Sequence, residues 1–420
     1  MLPERADVLI VGAGPAGLAA AIELKLLGVR DVVVADREPE AGGIPRLCHH
    51  TGFGLRDLRR VFSGPGYADH YRRRAQAAGV DLHTATTITG WRGATVLSFT
   101  SPHGPGQIEA RAILLATGCR ERPRSAQLIP GSRPAGVFTT GSLQRFVYEQ
   151  HLPVGKWAVI VGAELVSLSA LLTLRHAGVS AARLVTELPQ PQIYFPYRPM
   201  KWLIADLLMR TPIVTRARVT RIAGQRRVEG VEITHLESGR TELIACDTIV
   251  FTGNWIPEHE LARLGGLTLD PGTRGPQVDA GFRASQRGVF AAGNLLRGAE
   301  TADTSALEGG RAARPIHQFL RDERWPERAL PVQVEPPLAW VCPNVVSPPA
   351  PPPPGGFTFR SREFRNRVQV HVQQGDRVLH TQSFRRLIAN ETLRLSGDWL
   401  AAAQADSGAL RLVVVGGGGE

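Results

Sequence analysis

Cysteine is scarce in this chain of 420 residues, and lysine is scarcer. The four cysteines, Cys48, Cys119, Cys246 and Cys342, lie far apart and form no CxxC pair. That spacing excludes a readable zinc, iron–sulfur or disulfide framework, and no metal site is expected. Thiols this few and dispersed fit a reducing compartment. Long apolar runs are missing too, since no uncharged stretch reaches the ~18 residues that a membrane-spanning helix needs. Glu4, Arg5 and Asp7 precede a glycine-broken apolar run, which makes a poor secretory leader. A cytoplasmic protein with no membrane span is the expectation.

Positive charge is plentiful, at a formal +11, but nearly all of it is arginine spread over the whole length; lysine stands only at Lys25, Lys156 and Lys201. Arg72 to Arg74 and the 360–367 stretch are locally basic. No compact basic block alternates with aromatics, so nucleic acid is not the expected partner. Attraction of an anionic substrate or partner fits the charge better.

A hydrophobic content of 43% supplies ample cores, and the length suggests two or three domains. The β-branched run 7–11 (DVLIV) leads into GAGPAG and an apolar helical stretch over 16–27. Gly28 ends that stretch, and 31–36 (DVVVAD) reads as a second buried strand. Gly12, Gly14 and Gly17 therefore have the G-x-G-x-x-G spacing in a strand–turn–helix context. Gly12 permits the tight turn, Gly14 admits a pyrophosphate close to the backbone, and Gly17 lets the helix pack on its strand. The helix start offers free N–H groups to the phosphates. Asp36 closes the second strand, placed for the adenosine ribose hydroxyls.

The pattern returns at 157–162 (WAVIVG), 164–177 and 182–187 (ARLVTE), but its turn is GAELVS. Only Gly162 of the three glycines remains. Glu164 takes the close-approach position and Ser167 the packing position. A carboxylate ~4 Å from a phosphate costs on the order of 4 kcal/mol at an effective dielectric near ~20, roughly a thousandfold in affinity. Glu187 would suit an NAD ribose and disfavour the NADP phosphate. Two readings stand: a modified NAD(H) site, or a Rossmann domain kept as scaffold. The balance favours weak or absent nicotinamide binding.

Further buried strands ending in tight turns are expected at 111–118 (RAILLATG), 247–253 (DTIVFTG) and 288–293 (GVFAAG). A helix is expected over 303–320, with Asp303 or Thr304 near its start. From about residue 326 the composition shifts through a proline-rich 343–355 segment to short strands over 357–372, 377–384 and 409–415 and a glycine tail expected to be disordered. The fold expected is α/β, with two Rossmann-like three-layer dinucleotide-binding domains, the second inserted in the first, and a small β-rich C-terminal domain. The expected bounds are 1–125 with 242–325, 126–241, and 330–420.

The chain resembles the pyridine nucleotide-disulfide oxidoreductase superfamily of two-dinucleotide-domain flavoproteins. The resemblance rests on GAGPAG, Gly42–Gly43, the ATG at 116–118 and GVFAAGN at 288–294, and it implies FAD. In that superfamily the last motif brings an acidic residue to the flavin ribityl chain. Asn294 stands there instead, and can still accept and donate hydrogen bonds. The implied flavin contacts are Gly12, Ala13, Gly14, Pro15, Ala16, Gly17, Asp36, Arg37, Gly43, Arg46, Ala116, Thr117, Gly118, Gly293, Asn294 and Thr304. GGIPRLCHHTGFG has Cys48 where disulfide reductases carry a cysteine pair, so a disulfide relay is not expected. ATGCRERPR at 116–124 and IPGSRPAGVFTTG at 129–141 are similar to the flavin subunits of opine oxidase, hydroxyproline dehydrogenase and hydrogen cyanide synthase.

Three candidates for chemistry follow the Gly–Gly doublet. His49 or His50 could take a substrate proton, or merely hydrogen-bond a loop. Cys48 could be a thiolate stabilised by the flavin site and Arg46, or an inert buried thiol. Arg120, Arg122 and Arg124 could steer an anionic substrate or sit solvated at the surface. The aromatic stretch 194–202 (YFPYRPMKW) could cover an entrance, contact another subunit or simply pack. Functionally, the expectation is an FAD-dependent oxidoreductase passing hydride between a small donor and a second acceptor. An NADH-dependent reductase using the second domain and an accessory flavin subunit of a hetero-oligomer stay open, as does a homodimer.

Overall fold

Alternate residues of the first apolar run find two different cores, which is why an unbroken apolar run here makes a strand. Val8 and Ile10 enter one cluster, and Leu9 and Val11 enter another on the opposite face. The computed structural model describes residues 2–193, 198–208, 210–327, 329–347, 352–404 and 406–417. Residues 194–197 of the aromatic stretch, part of the proline-rich segment (348–351) and the end of the glycine tail (418–420) lie outside the described residues. The chain forms two compact units: Met1–Arg46 with Thr51–Arg120 and Ile256–Glu420, and Leu47–His50 with Glu121–Trp255.

In the first unit, β1 (Arg5–Val11) is followed by α1 (Pro15–Leu26) and β2 (Val32–Ala35). Then come α2 (Gly64–Ala77) and the long β3 (Gly104–Leu115). The pair β1–β2 is parallel with Ile10 opposite Val34, and β1–β3 is parallel with Ile10 opposite Leu114. The sheet runs Asp81–His83, β2, β1, β3, and continues into the antiparallel strands Val96–Ser101 and Thr87–Trp91.

The second unit repeats the plan with β4 (Trp157–Val161), α3 (Leu165–His176) and β5 (Ser180–Val185). One expectation is corrected here. The 247–253 run falls within the bounds expected for the first domain, but its strand β6 (Thr248–Phe251) pairs in parallel with β4 and with Val137–Thr139. Its buried apolar pattern suits any central parallel strand, so the pattern does not say which sheet it joins. A three-stranded antiparallel sheet, Ala217–Ala223, Gly230–His235 and Thr241–Ala245, completes this unit.

The chain re-enters the first sheet at β7 (Val289–Ala291), which pairs in parallel with β3. Next, α4 (Ala302–Asp322) packs along α1. Its cap is Thr301, whose hydroxyl accepts from the Thr304 N–H at 3.4 Å, and Asp303 and Thr304 lie in its first turn, near the start as expected. Beyond it, β8 (Leu338–Cys342) and β9 (Phe357–Ser361) pair antiparallel. The strand expected over 357–372 is broken after Ser361 and resumes as Arg365–Gln374. Phe357, Phe359, Val368, Val370, Leu410 and Leu412 build a separate C-terminal core. Trp340 and Cys342 face the core of the first unit instead.

Candidate functional site

The two turns between strand and helix have the same backbone plan and opposite contents. In the first, Gly12 has φ +110°, and a Cβ there would lie 2.4 Å from the Ala116 carbonyl oxygen. A Cβ on Gly17 would lie 1.9 Å from the Gly12 carbonyl oxygen. Both positions are closed to any side chain. At Gly14 a Cβ would meet nothing within 4 Å. Gly14 caps α1, no side chain caps the helix, and its first turn has no acidic residue. The free N–H groups and the positive helix end therefore face open space, which suits a pyrophosphate.

The surrounding residues shape that space. Gly43, at φ +64°, approaches the Cα of Gly14 so closely that a Cβ would lie 2.9 Å away. Asp36 accepts from the Ala13 N–H at 2.5 Å and from the Glu38 N–H at 2.8 Å. Burial raises its carboxyl above the ordinary range against those bonds. Each oxygen keeps a lone pair for a ribose hydroxyl. Pro15 and Ala16 open α1, and Gly293 packs on Ala16, where a Cβ would be 2.7 Å from the Ala16 Cβ. Arg37 is exposed and pairs with Glu258 at 3.6 Å, and Arg46 pairs with Glu40 at 3.2 Å. The Ala116 N–H donates to the Val11 carbonyl at 2.9 Å. The Thr117 hydroxyl donates to the Glu258 carbonyl at 2.8 Å, and Gly118 has φ +75° with open space at its Cβ.

Asn294 is held by its carbonyl. Its Oδ1 accepts from the Glu300 N–H at 3.1 Å and from the Ser305 hydroxyl at 2.8 Å. Thr304 lies in the first turn of α4, its hydroxyl 2.9 Å from that of Thr301. Two residues of this unit have roles that the sequence reading did not assign. Asp303 accepts from the Gly54 and Arg56 N–H groups at 2.9 Å each, tying that loop to α4. Gly309 allows α4 to touch α1, since a Cβ there would lie 1.9 Å from the Ala16 carbonyl oxygen. An acidic residue beside a helix start signalled the first; nothing in a lone helical glycine signalled the second.

In the second turn the corresponding space is filled by the chain itself. Gly162 has φ +135°, and the Glu164 carboxylate oxygens lie 2.8 and 2.9 Å from where its Cβ would stand. They also lie 3.0 and 3.3 Å from the Cβ position of Gly253. Glu164 caps α3, its N–H donating to the Ser167 hydroxyl at 3.1 Å, and Ser167 meets the Thr252 hydroxyl at 3.0 Å. Burial raises the Glu164 carboxyl, opposed by hydrogen bonds from Thr252 and nearby N–H groups. The helix end is already occupied by a carboxyl group of the chain itself. At the end of β5, Glu187 is exposed and paired with Arg218 at 2.8 Å. The residues present do not fit a nicotinamide dinucleotide's pyrophosphate.

The Cys48–His50 segment belongs to the second unit, although residues on either side of it belong to the first. The thiol of Cys48 lies 3.7 Å from the Gln144 amide nitrogen, which also donates to Ser169 at 2.9 Å. Burial pushes that thiol up to about 11, against the hydrogen bonds from Gln144 and Ser169. Of the two readings of Cys48, this environment favours the protonated, inert thiol over the thiolate. His49 stacks face to face on Tyr148 at 3.9 Å. Burial, then the charge of His176, hold its imidazole below the ordinary value. His50 is half-buried. Arg124 donates to the carbonyls of Ile129, Pro130, Gly131 and Ser132. Arg120 pairs with Glu258 and Glu260, and Arg122 donates to the Ala126 carbonyl. These arginines brace loops, rather than awaiting an anion. Among the described residues no cluster of His, Cys, Asp and Glu is placed to hold a metal ion, and no helix is long and apolar enough to cross a membrane.

Comparison with known proteins agrees with this geometry. The chain is 27% identical over 346 residues to one of the subunits of opine oxidase from Rhizobium meliloti, covering 74% of this chain and 63% of that one. It thus spans less than two thirds of that relative's length. It is 26% identical to hydrogen cyanide synthase subunit HcnB of Pseudomonas aeruginosa, covering 77% of this chain and 73% of that relative. The fold matches the T. acidophilum thioredoxin reductase crystal structure at TM-score 0.63 and 20% identity, over 75% of this chain and 99% of that one. Residues 6–309 match the family described as pyridine nucleotide-disulphide oxidoreductase, and with an open glycine turn at its first strand the chain belongs to that family of FAD-binding proteins.

Proposed function

We propose that this chain is an FAD-dependent oxidoreductase whose flavin is reduced by a small organic donor, an amine, amino acid or similar molecule, and reoxidised by a second acceptor without a disulfide relay. FAD, when bound, supplies the hydride chemistry, while the protein binds and orients it. Gly12–Gly17 and the start of α1 would hold the FAD pyrophosphate, with Gly43 beside Gly14, and Asp36 would take the adenosine ribose. Ala116–Gly118, Gly293, Asn294 and Thr304 serve the flavin side.

The observation that carries this reading is Glu164. Its carboxylate occupies the glycine cradle of the second motif, which argues against reduction by NADH or NADPH. A half-buried Cys48, its thiol raised by desolvation and with no second cysteine close in sequence, argues equally against a dithiol donor. A second reading has its own support: the two relatives compared are named as subunits, and the chain spans 63% of the opine oxidase one. On that reading the acceptor resides in a partner protein, and the chain purifies natively in a larger complex.

The test is anaerobic mixing of the FAD-loaded protein with NADH, NADPH and a panel of amines, amino acids, opines and sugar phosphates. The expected outcome is stoichiometric bleaching of the flavin by one organic class and none by nicotinamides. Rapid, complete bleaching by NADH would overturn the reading.

A further inference from the structure

The C-terminal sheets lie beyond residues 6–309, the part matched to the family, yet they reach the loop that carries Asn294. Arg360, on β9, donates to the Glu300 carboxylate at 2.6 Å and to the Ala299 carbonyl at 2.8 Å. Its Nε donates to the Thr392 hydroxyl at 2.8 Å, and Thr392 in turn donates to Glu300. The backbone N–H of the same Glu300 donates to Asn294 Oδ1. A continuous set of hydrogen bonds thus runs from two C-terminal residues, through Glu300, to the side chain that faces the ribityl chain in this family.

The set is embedded in a largely shielded, charge-balanced quartet. Arg297, with only 2% of its side chain exposed, pairs with Glu308 and lies 3.9 Å from Glu300. The guanidiniums of Arg297 and Arg360 lie 5.9 and 5.2 Å from the Trp340 ring centroid, and Trp340 stands opposite Arg360 in the β8–β9 register. Burial alone would raise the Glu300 carboxyl, but Arg360, Arg297 and Thr392 outweigh it and hold it below the ordinary range. Two cations and two anions this dry are weak contributors to stability over an apolar equivalent, yet costly to break singly. Their directionality fixes one loop conformation.

We propose that Arg360 and Thr392 are positioning residues for the flavin, holding Asn294 through Glu300 so that the C-terminal sheets set the tightness of the FAD site. This rests on the FAD reading, so FAD binding by the unaltered chain is measured first; a chain that binds none overturns both. In the full-length protein, Arg360→Met is expected to raise the apparent Kd for FAD about tenfold or more and to shift the flavin midpoint potential. Arg360→Lys should recover part of the loss, and Thr392→Val should show a smaller one. If Arg360 acts through Asn294, the loss in Arg360→Met with Asn294→Ala will not exceed the larger single loss. Values within about twofold of the unaltered chain in Arg360→Met and Thr392→Val, or additive losses in the double variant, would make the quartet merely structural and overturn the proposal. Should Arg360→Met not fold, Thr392→Val and Arg360→Lys decide by the same criteria.

Discussion

The three glycines of the first turn are equal in the sequence motif and unequal in the structure. Gly12 and Gly17 are held by carbonyl oxygens that a Cβ would strike, whereas Gly14 has φ −78° and ψ −174° and a Cβ there would meet nothing within 4 Å. Any residue adopts that backbone, so the fold does not require a glycine at position 14, whereas the proposed FAD pyrophosphate does. Gly14→Ala should change the stability of the FAD-free protein by less than about 0.5 kcal/mol. The same variant should weaken FAD binding by about tenfold or more, because the added methyl projects over the helix start where the pyrophosphate rests. Thermal unfolding with and without FAD separates the two effects, and a large loss without FAD would contradict the assignment. The close-packed turn positions Gly12 and Gly17, and the place of Asp36 at the end of β2, were legible in the sequence. For Cys48 the sequence left a thiolate and an inert thiol both open, because the burial that raises the thiol, against hydrogen bonds from Gln144 and Ser169, is created only by folding.

At the level of elements, the strand–turn–helix–strand units could be read from apolar runs and turn glycines. Sheet membership could not be, as β6 shows: four buried residues carry no label of the sheet that accepts them. Helix packing was hidden for a similar reason, since a helical glycine is ordinary until its neighbour is known. Gly309 and Gly310 make the point measurable. Alanine outranks glycine in helices by about 1 kcal/mol, and a Cβ at Gly310 meets nothing within 4 Å. Gly310→Ala should therefore stabilise the protein by ~0.5–1 kcal/mol. Gly309→Ala should do the opposite, because its methyl would sit 1.9 Å from a backbone oxygen of α1 that no rotamer change can move. A loss of about 1–3 kcal/mol is expected from such overpacking. Denaturant unfolding of both variants checks the pair, and equal stabilisation would mean that α1 and α4 do not meet as described.

Across the whole molecule, one βαβ copy presents a bare helix end and the other caps its own with a carboxylate. Charge and bulk both contribute to that closure, and substitution separates them. Glu164→Gln removes the charge and keeps the side chain, while Glu164→Gly removes both. If the carboxylate is what excludes NADH, affinity should rise stepwise through the two variants, by up to roughly a thousandfold for an unscreened phosphate contact. Ser167 stays in the packing position in both, so the gain measures the cradle alone. Burial raises the Glu164 carboxyl above its unfolded value, so the folded state binds its proton more tightly than the unfolded one. Glu164 therefore weakens stability as pH rises through the unfolded carboxyl range, and the weakening is absent below it. Glu164→Gln should accordingly gain stability over the unaltered chain near neutral pH, and the gain should vanish in acid. Melting temperatures across that range test the sign, and fluorescence titration with NADH tests the affinity. A Glu164→Gly variant that binds NADH no better than the unaltered chain would mean that the second copy is closed by its packing rather than by its charge.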